Sequence, residues 1–258
     1  MRVEISLDKT IEANASEYYD KIKKLKKKLE GTTETLENYR IKLNKAKKEK
    51  DKLIQELKKE KKPELKKEWY EKFRWFLSSE DFLVIGGRDA TSNEIVIKKH
   101  ASKNDLIFHT DMVGSPFFVI QADNKKVGDT TIKEAADATV TFSKAFKLNR
   151  TTTATFMAKP EQLTKEAPSG EYVPKGGFIT KGKLDYVDNR INLAIGNYNG
   201  KVMAGPVSAI KKHCKDYVEL EQGKEKPGAI AKLIKHKIGC EIDDITRSLP
   251  AGTFRVKK

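Results

Sequence analysis

The sequence predicts an α+β protein in which a long amino-terminal coiled-coil helix precedes a mixed α+β globular domain. An apolar heptad repeat runs through the first sixty residues, which is typical of a coiled coil. Beyond residue 82, short apolar runs follow one another between turn residues, which indicates strands. One helical segment interrupts these strands. Strands in series, rather than strands alternating with helices, favour an α+β fold.

The predicted arm, residues 9–62, is a polar helix with one apolar stripe. Its seam advances in steps of four and three along Tyr18, Ile22, Leu25, Leu29, Thr32, Leu36, Tyr39, Leu43, Ala46, Lys50, Leu53 and Leu57. A solvated, charged helix is the simplest interpretation, but a helix of this length buries its stripe only against a partner. We expect self-association, a return helix or a protein partner along residues 9–62. Gly31-Thr32-Thr33 could form a turn, yet the heptad continues through it, which favours one continuous helix.

Beyond the arm, the elements are predicted from the positions of turn residues and from the spacing of apolar residues. Pro63 ends the arm, and Trp69, Phe73 and Phe76 lie at helical spacing in a predicted second helix, residues 64–77. Strands are predicted at residues 82–87, 94–98, 106–109, 117–121, 151–157, 176–180, 184–187 and 191–195.

Three further helices are predicted. Thr131 and Glu134 fit a capping box that opens a helix extending to about Ala145. Residues 207–213 and 228–236 also have helical patterns. We therefore expect three parts: a coiled-coil arm (1–62), an α+β domain (63–204) and a carboxy-terminal extension (205–258) whose helices pack on that domain.

Charge indicates the class of partner. The 258 residues include 52 Lys and Arg against 37 Asp and Glu, a formal net charge of +15. The excess of basic residues is 8 up to Ser78 and 7 beyond it, so both parts share it. Such a positive field attracts polyanions. Nucleic acid is favoured as the partner over an anionic membrane surface. We find no apolar run that could span a bilayer and no secretory pattern, and we expect a cytoplasmic protein.

The cysteine and histidine content gives no sign of a metal site or cofactor. Cys214 and Cys240 form no CxxC pair, so we expect ordinary semi-buried thiols. His100 is the only other histidine near His109, but a metal needs three or four ligands. We predict no metal and no cofactor.

Gly86-Gly87-Arg88-Asp89 is the first of three notable motifs. Adjacent glycines permit positive φ and a close approach of the backbone. Spacing alone favours a tight β-turn with no helix beginning after it, and the pattern of a phosphate loop is absent. Arg88 differs because its planar side chain could present a fork to phosphate.

The second motif runs from Asp105 to Pro116. In a strand, Asp105, Ile107, His109 and Asp111 would share one face, and a hydrogen bond between His109 and Asp111 that fixes a turn is favoured over catalysis. The turn contains Gly114. We find no complete set of nucleophile, base and orienting group, and we predict no catalytic residues and no enzyme activity.

The third motif is the loop from Ala167 to Gly177, followed by Lys181-Gly182-Lys183. Its proline, glycine and serine content predicts an ordered surface loop. Lys175, Lys181 and Lys183 cluster around it. Two interpretations of this cluster are equally favoured. The lysines could be scattered residues that keep the surface soluble, or they could form a patch that contacts the phosphates along a nucleic-acid backbone.

Together the motifs resemble the RNA-binding domain, NFACT-R, of the NFACT family of ribosome quality control factors. The similarity covers residues 67–202 and begins with WYEKFRWFLSSEDFLVIGGRDA at residues 69–90. The preceding helix resembles the family's coiled-coil region, while the amino-terminal NFACT-N domain has no counterpart here. The resemblance implies binding of rRNA or tRNA on large ribosomal subunits that carry stalled nascent chains.

We therefore predict a non-catalytic RNA-binding protein. Its predicted phosphate contacts are Arg74, Arg88, Lys98, Lys99, Lys175, Lys181 and Lys183. Gly86 and Gly87 shape the surface, and His109, Asp111 and Gly114 hold the neighbouring turn. Two alternatives remain open: a coiled-coil scaffold for protein interaction, and a DNA-binding module that uses the same basic surface.

Overall fold

A computed structural model of the chain describes residues 3–60, 67–167 and 172–257, with the side chains of the arm described up to Asp51. The chain divides into two compact units, one up to Leu65 and one from Lys66 onward. Within the described residues, no helix combines the length and the apolar character needed to cross a membrane.

The first unit is built on α1 (Ile11–Glu60), a single uninterrupted helix. Gly31 lies inside it, and the hydroxyls of Thr32 and Thr33 donate to the carbonyls of Lys28 and Leu29 one turn earlier. The prediction of a continuous helix is thus confirmed through Glu60, and residues 61–62 lie outside the described part. Described seam residues such as Leu25, Leu29, Leu36 and Leu43 are all exposed.

The residues before α1 fold back along its first turns. The Asn14 side chain accepts a hydrogen bond from the Ser6 amide at 2.8 Å and donates to the Thr10 carbonyl at 3.0 Å. The Tyr18 hydroxyl donates to the Glu4 carbonyl at 2.6 Å. These bonds hold residues 4–10, which precede α1, against the Asn14 and Tyr18 side chains of the helix.

The second unit contains six α-helices and twelve strands among its described residues. The helices are α2 (Ala90–His100), α3 (Asp129–Thr141), α4 (Lys144–Lys147), α5 (Val207–His213), α6 (Pro227–Ile238) and α7 (Ile242–Ser248). The strands are β1 (Arg74–Leu77), β2 (Leu83–Gly86), β3 (Leu106–Thr110), β4 (Phe118–Ile120), β5 (Thr155–Ala158), β6 (Leu163–Thr164), β7 (Ile179–Thr180), β8 (Asp185–Tyr186), β9 (Leu193–Tyr198), β10 (Lys201–Gly205), β11 (Tyr217–Glu225) and β12 (Phe254–Val256).

The strands form antiparallel sheets, as expected of an α+β fold. A six-stranded sheet has the order β1-β2-β4-β3-β5-β8, a four-stranded sheet has the order β10-β9-β11-β12, and β6 pairs with β7. The two larger sheets meet at Phe76, which is fully buried and whose ring lies close to the backbone of Gly205. The Leu77 amide also lies 3.4 Å from the Met203 sulfur. This junction places both sheets around one hydrophobic core.

Two predicted elements are wrong. The part of the 64–77 helix that the structure describes is a 3-10 turn (Trp69–Lys72) followed by β1. Aromatic residues fit a pleated, half-buried surface, and β1 is fixed by its hairpin with β2, in which Arg74 faces Gly86. Residues 94–98 belong to α2 and not to a strand. Their β-branched residues suggested a strand, but the amino-terminal cap of α2 prevails.

The capping box predicted at Thr131 is also wrong. Helix α3 begins earlier, after Gly128, and ends at Thr141, before the separate short helix α4. The buried Glu134 carboxylate instead accepts hydrogen bonds from the Ser79 amide and the Ser208 hydroxyl. It therefore ties α3 to the β1–β2 turn and to α5.

The remaining elements agree with the sequence more closely. Strands β2, β3, β4 and β9 and helices α5 and α6 fall where the sequence predicts them. Strands β6, β10, β11 and β12 and helix α7 were not predicted. Residues beyond 205 thus supply two strands, β11 and β12, to the same sheet as β9. The boundaries proposed at residues 62 and 204 stay predictions.

Candidate nucleic-acid interface

The second unit contains a cleft of about 460 Å³ in which the three sequence motifs meet. It is lined by the Gly87–Ala90 corner after β2, by the turn after β3 with Val113 and Phe117, and by the segment from Tyr172 to Ile179. Arg74 and His109 line it as well. The fold therefore brings together residues that lie up to about a hundred positions apart in the sequence.

Close packing rather than positive φ explains the two glycines. Neither Gly86 nor Gly87 has a positive φ, contrary to one expectation. A Cβ on Gly86 would lie 2.5 Å from the Phe118 ring, and one on Gly87 would lie 1.9 Å from the Asn93 side-chain oxygen. The expected close approach is confirmed.

A helix does begin after this corner, which corrects the prediction that none would. The Asp89 carboxylate accepts a hydrogen bond from the Ser92 amide at 2.7 Å, and the Ser92 hydroxyl accepts one from the Asp89 amide at 2.8 Å. This reciprocal cap opens α2. The sequence Asp89-Ala-Thr-Ser92 carries that signal, so the helix could have been found.

Arg88 holds the corner in place. Its guanidinium donates to the carbonyls of Phe73 at 2.8 Å and of Arg247 at 2.7 Å. Burial, followed by the charge of Arg247, lowers its pKa. Two backbone carbonyls thus accept the hydrogen bonds that the Arg88 guanidinium was expected to donate to phosphate. Contact between Arg88 and phosphate stays a proposal.

Arg74 lies deeper, at the start of β1. Its guanidinium stacks on the Phe142 ring, 4.5 Å from the centroid, and donates to the Leu249 carbonyl at 3.3 Å. Burial, and then the charge of Arg88, lower the pKa of Arg74 to about 9. Among the described residues, neither arginine has a carboxylate within 4.0 Å. The floor of the cleft therefore carries two like charges without a carboxylate in contact, while the more distant charges of Asp244 and Asp89 partly oppose the lowering of the pKa of Arg88.

His109 is a neutral wall of the cleft. Its ring stacks on Phe117 at 4.0 Å, and its Nε2 lies 3.2 Å from the Ser115 carbonyl, so Nε2 carries the proton that is donated. Burial lowers the pKa of His109 to about 4. The described hydrogen bond of the His109 ring goes to the Ser115 carbonyl and not to Asp111, whose charge only opposes the lowering of the pKa of His109.

Gly114 has a left-handed backbone, with φ of +81°, and it lies beside the Lys144 side chain.

Phe178 also lines the cleft, and its ring meets Phe117 edge to face at 5.4 Å. Tyr172 and Phe178 were not selected from the sequence. The Tyr172 position lies in the quoted loop motif, but the motif does not show that its ring borders a cleft.

Lys175 is the exposed cation at the cleft. Its loop is fixed against α2, because Gly176, with φ of +78°, packs onto the Ala90 backbone. The Gly176 amide donates to the Glu94 carboxylate at 3.4 Å. Hydrogen bonding to Lys98 is the main cause that lowers the pKa of Glu94 to about 2. Glu94 therefore links the loop to the surface of α2.

The other predicted phosphate contacts lie outside the cleft. Lys98 and Lys99 occupy the last turn of α2, about 12 Å along the helix from Ala90. The Lys98 ammonium pairs with Glu94 at 2.6 Å. Lys181 and Lys183 follow β7, where the backbone carbonyls of both accept hydrogen bonds from the Gln162 side chain. These lysines are exposed, and their contact with RNA stays a proposal.

No group of three metal-binding side chains is found within the described ranges. Both cysteines are buried, which is deeper than the semi-buried placement expected for them. Burial raises the pKa of Cys214 to about 12, so its thiol stays protonated at neutral pH.

Comparisons with known proteins agree with the resemblance. Residues 72–182 match the family model of the NFACT protein RNA-binding domain. The chain is 38% identical over 200 residues to the archaeal Rqc2 homolog aRqcH of Methanocaldococcus jannaschii, covering 74% of this chain and 30% of that protein. It is 34% identical over 176 residues to the ribosome quality control complex subunit NEMF of Homo sapiens, covering 68% of this chain and 16% of that protein.

The chain thus spans less than a third of the length of these relatives. A solved structure, the C-terminal part of the fibronectin/fibrinogen-binding protein from Streptococcus suis, aligns with a TM-score of 0.38 at 22% identity, over 50% of this chain and 49% of that one. That likeness is too weak to support a conclusion. The family model and the curated relatives show that the chain belongs to the NFACT family.

Proposed function

We propose that this chain binds structured RNA without catalysing a reaction, and that its cellular ligand is rRNA or tRNA on large ribosomal subunits carrying stalled nascent chains. One observation carries the proposal: Arg74 at the start of β1, Arg88 in the corner after β2 and Lys175 in the loop motif line one cleft within the segment that matches an RNA-binding domain. Asp89 is the acidic residue among the described lining, and its carboxylate caps α2.

The cellular setting is proposed from the relatives. The name of NEMF assigns that protein to the ribosome quality control complex, and we propose the same process, in the cytoplasm, for this chain. Contacts with phosphate position a protein on RNA without reading sequence, and in a double helix the shape of the shallow groove is recognised. The exposed Lys98, Lys99, Lys181 and Lys183 would extend such contacts beyond the cleft.

Binding to a labelled structured RNA across a salt series tests the proposal. Affinity should fall steeply with salt, and Lys175→Glu should weaken binding and reduce the salt slope by about 1. Lys232→Glu makes the same charge change at an exposed position of α6 outside the cleft and should have a much smaller effect. A flat salt dependence contradicts phosphate binding. Equal competition by a DNA duplex of the same length would favour the DNA-binding alternative.

A second candidate function, a scaffold for protein interaction, is favoured by the arm. Leu25, Leu29 and Leu36 are 65%, 66% and 57% exposed along one seam, so the described residues of the first unit do not cover this surface. Sedimentation equilibrium should show self-association that Leu25→Glu abolishes and Asn38→Glu, off the seam, preserves. A monomeric wild-type chain contradicts self-association.

A further inference from the structure

The mouth of the cleft is apolar although the protein is strongly basic. Val113 and Tyr172 line it and are 83% and 84% exposed. A volume of about 460 Å³ lies within the range of sites that hold small ligands, about 300–1,000 Å³. Two large apolar side chains open to water beside a cleft of that size indicate an occupant with an apolar face.

The walls of the cleft are aromatic. Phe117 is only 2% exposed, and its ring stacks on His109 and meets the half-buried Phe178 ring edge to face. His109 is neutral at physiological pH, so this side of the cleft presents ring surface rather than charge. Planar bases stack on such rings in single-stranded RNA, whatever their sequence.

The floor and rim of the cleft are cationic. Arg74 and Arg88 repel one another, and the carboxylate of Asp89 is engaged at the start of α2. Lys175 adds an exposed ammonium at the rim. An occupant that brings a negative charge would relieve this repulsion. The occupant is therefore expected to be both planar and anionic, which describes a nucleotide.

We propose that the cleft accepts one unstacked nucleobase of an RNA strand, between Tyr172 and Phe178, with Lys175 at the adjoining phosphate. The inference rests on the proposed RNA-binding function and adds a preference to it. A base inside a duplex is covered on both faces and cannot enter a concave site. The cleft therefore selects loops, bulges and single-stranded ends over continuous helices.

The test uses the full chain and two RNAs of equal length, a single strand with 2-aminopurine at its centre and a continuous duplex. Tyr172→Ala removes a ring at the mouth, and Val113→Glu places a negative charge there. The matched controls are Tyr186→Ala and Leu233→Glu, which change exposed residues outside the cleft. All four positions are exposed, and circular dichroism checks that each variant keeps the fold.

Wild-type protein should bind the single strand and change the 2-aminopurine emission. Tyr172→Ala should weaken single-strand binding about tenfold and leave duplex binding near wild type. Val113→Glu should weaken single-strand binding about tenfold as well, and its negative charge should also weaken duplex binding. Both controls should stay near wild type. If both cleft variants bind the single strand like wild type, with unchanged emission, RNA binding stands and the nucleobase inference is overturned. If wild type binds neither RNA, the proposed function itself fails. A Tyr172→Ala defect seen only with an acidic, tyrosine-containing peptide would assign the cleft to a peptide instead.

Discussion

The guanidinium of Arg88 donates a hydrogen bond to the carbonyl of Phe73 at 2.8 Å, which ties the corner before α2 to the residue preceding β1. A second bond reaches the Arg247 carbonyl in α7 at 2.7 Å. One side chain thus joins three segments that are distant in sequence. In the sequence, Arg88 is the residue that most resembles a phosphate ligand. In the fold, its side chain holds these three segments together.

Replacing Arg88 should therefore reduce stability before it changes any ligand contact. Hydrogen bonds from charged donors contribute about 1.5–3 kcal/mol each, and the two here are not additive, so Arg88→Ala should lower the free energy of unfolding by about 3 kcal/mol. Arg88→Lys should recover only part of the loss, because one ammonium does not reproduce the fork. Urea denaturation measures both. A change in Arg88→Ala below about 0.5 kcal/mol, the size of an ordinary surface effect, would contradict this role.

Gly87 should tolerate no side chain. The Asn93 amide accepts from the Phe117 backbone at 3.1 Å and donates to the Ser115 carbonyl at 3.2 Å, so it cannot move without breaking both bonds. The Cβ of Gly87→Ala would lie 1.9 Å from its oxygen. We expect a loss of about 2–4 kcal/mol in unfolding free energy.

Gly228→Ala is the control for this substitution, because nothing lies within 4 Å of its added Cβ and it sits in the first turn of α6. It should be neutral or slightly stabilising. Equal stability of the two alanine variants would show that the packing at Gly87 is not restrictive.

His109 should make stability depend on pH. Its pKa is about 4 in the folded protein and about 6.5 when unfolded, so the unfolded chain binds the proton first as pH falls. The contribution is fully present above pH 6.5 and is lost between about pH 6.5 and 4, up to roughly 3 kcal/mol.

His109→Gln keeps an N–H donor for the Ser115 carbonyl and removes the titration. Denaturation at several pH values should show a shallower acid loss in this variant than in wild type. Burial also lowers the pKa of His100, but that contribution is common to both proteins and cancels in the comparison. Identical pH profiles for the two proteins would contradict the buried, neutral state of His109.

The sequence was informative wherever a local pattern decides the structure. The heptad predicted α1 through Gly31 because its phase does not shift, and apolar runs located β2, β3 and β4. The sequence was misleading where one segment fits both a helical and a strand pattern. Residues 94–98 carry strand-forming side chains, yet the Asp89–Ser92 cap makes them helical. Residues 74–77 fit helical spacing, yet pairing with β2 makes them a strand.

The candidate site was predictable only in part. Arg74, Arg88, His109 and Lys175 could be named from their motifs, but their convergence on one cleft depends on long-range pairing of strands that no local pattern specifies. The commitment of both arginines to backbone carbonyls is likewise a tertiary fact. The aromatic wall at Phe178 was missed because an aromatic residue after two glycines has no distinctive spacing.

Co-sedimentation with purified large ribosomal subunits across a salt series tests the central claim most directly, with wild type beside Lys175→Glu and the control Lys232→Glu. Wild type and the control should bind in a salt-sensitive manner, and Lys175→Glu should bind more weakly at every salt concentration. Failure of wild type to bind at low salt, or equal binding by all three proteins, would contradict an RNA interface at the cleft.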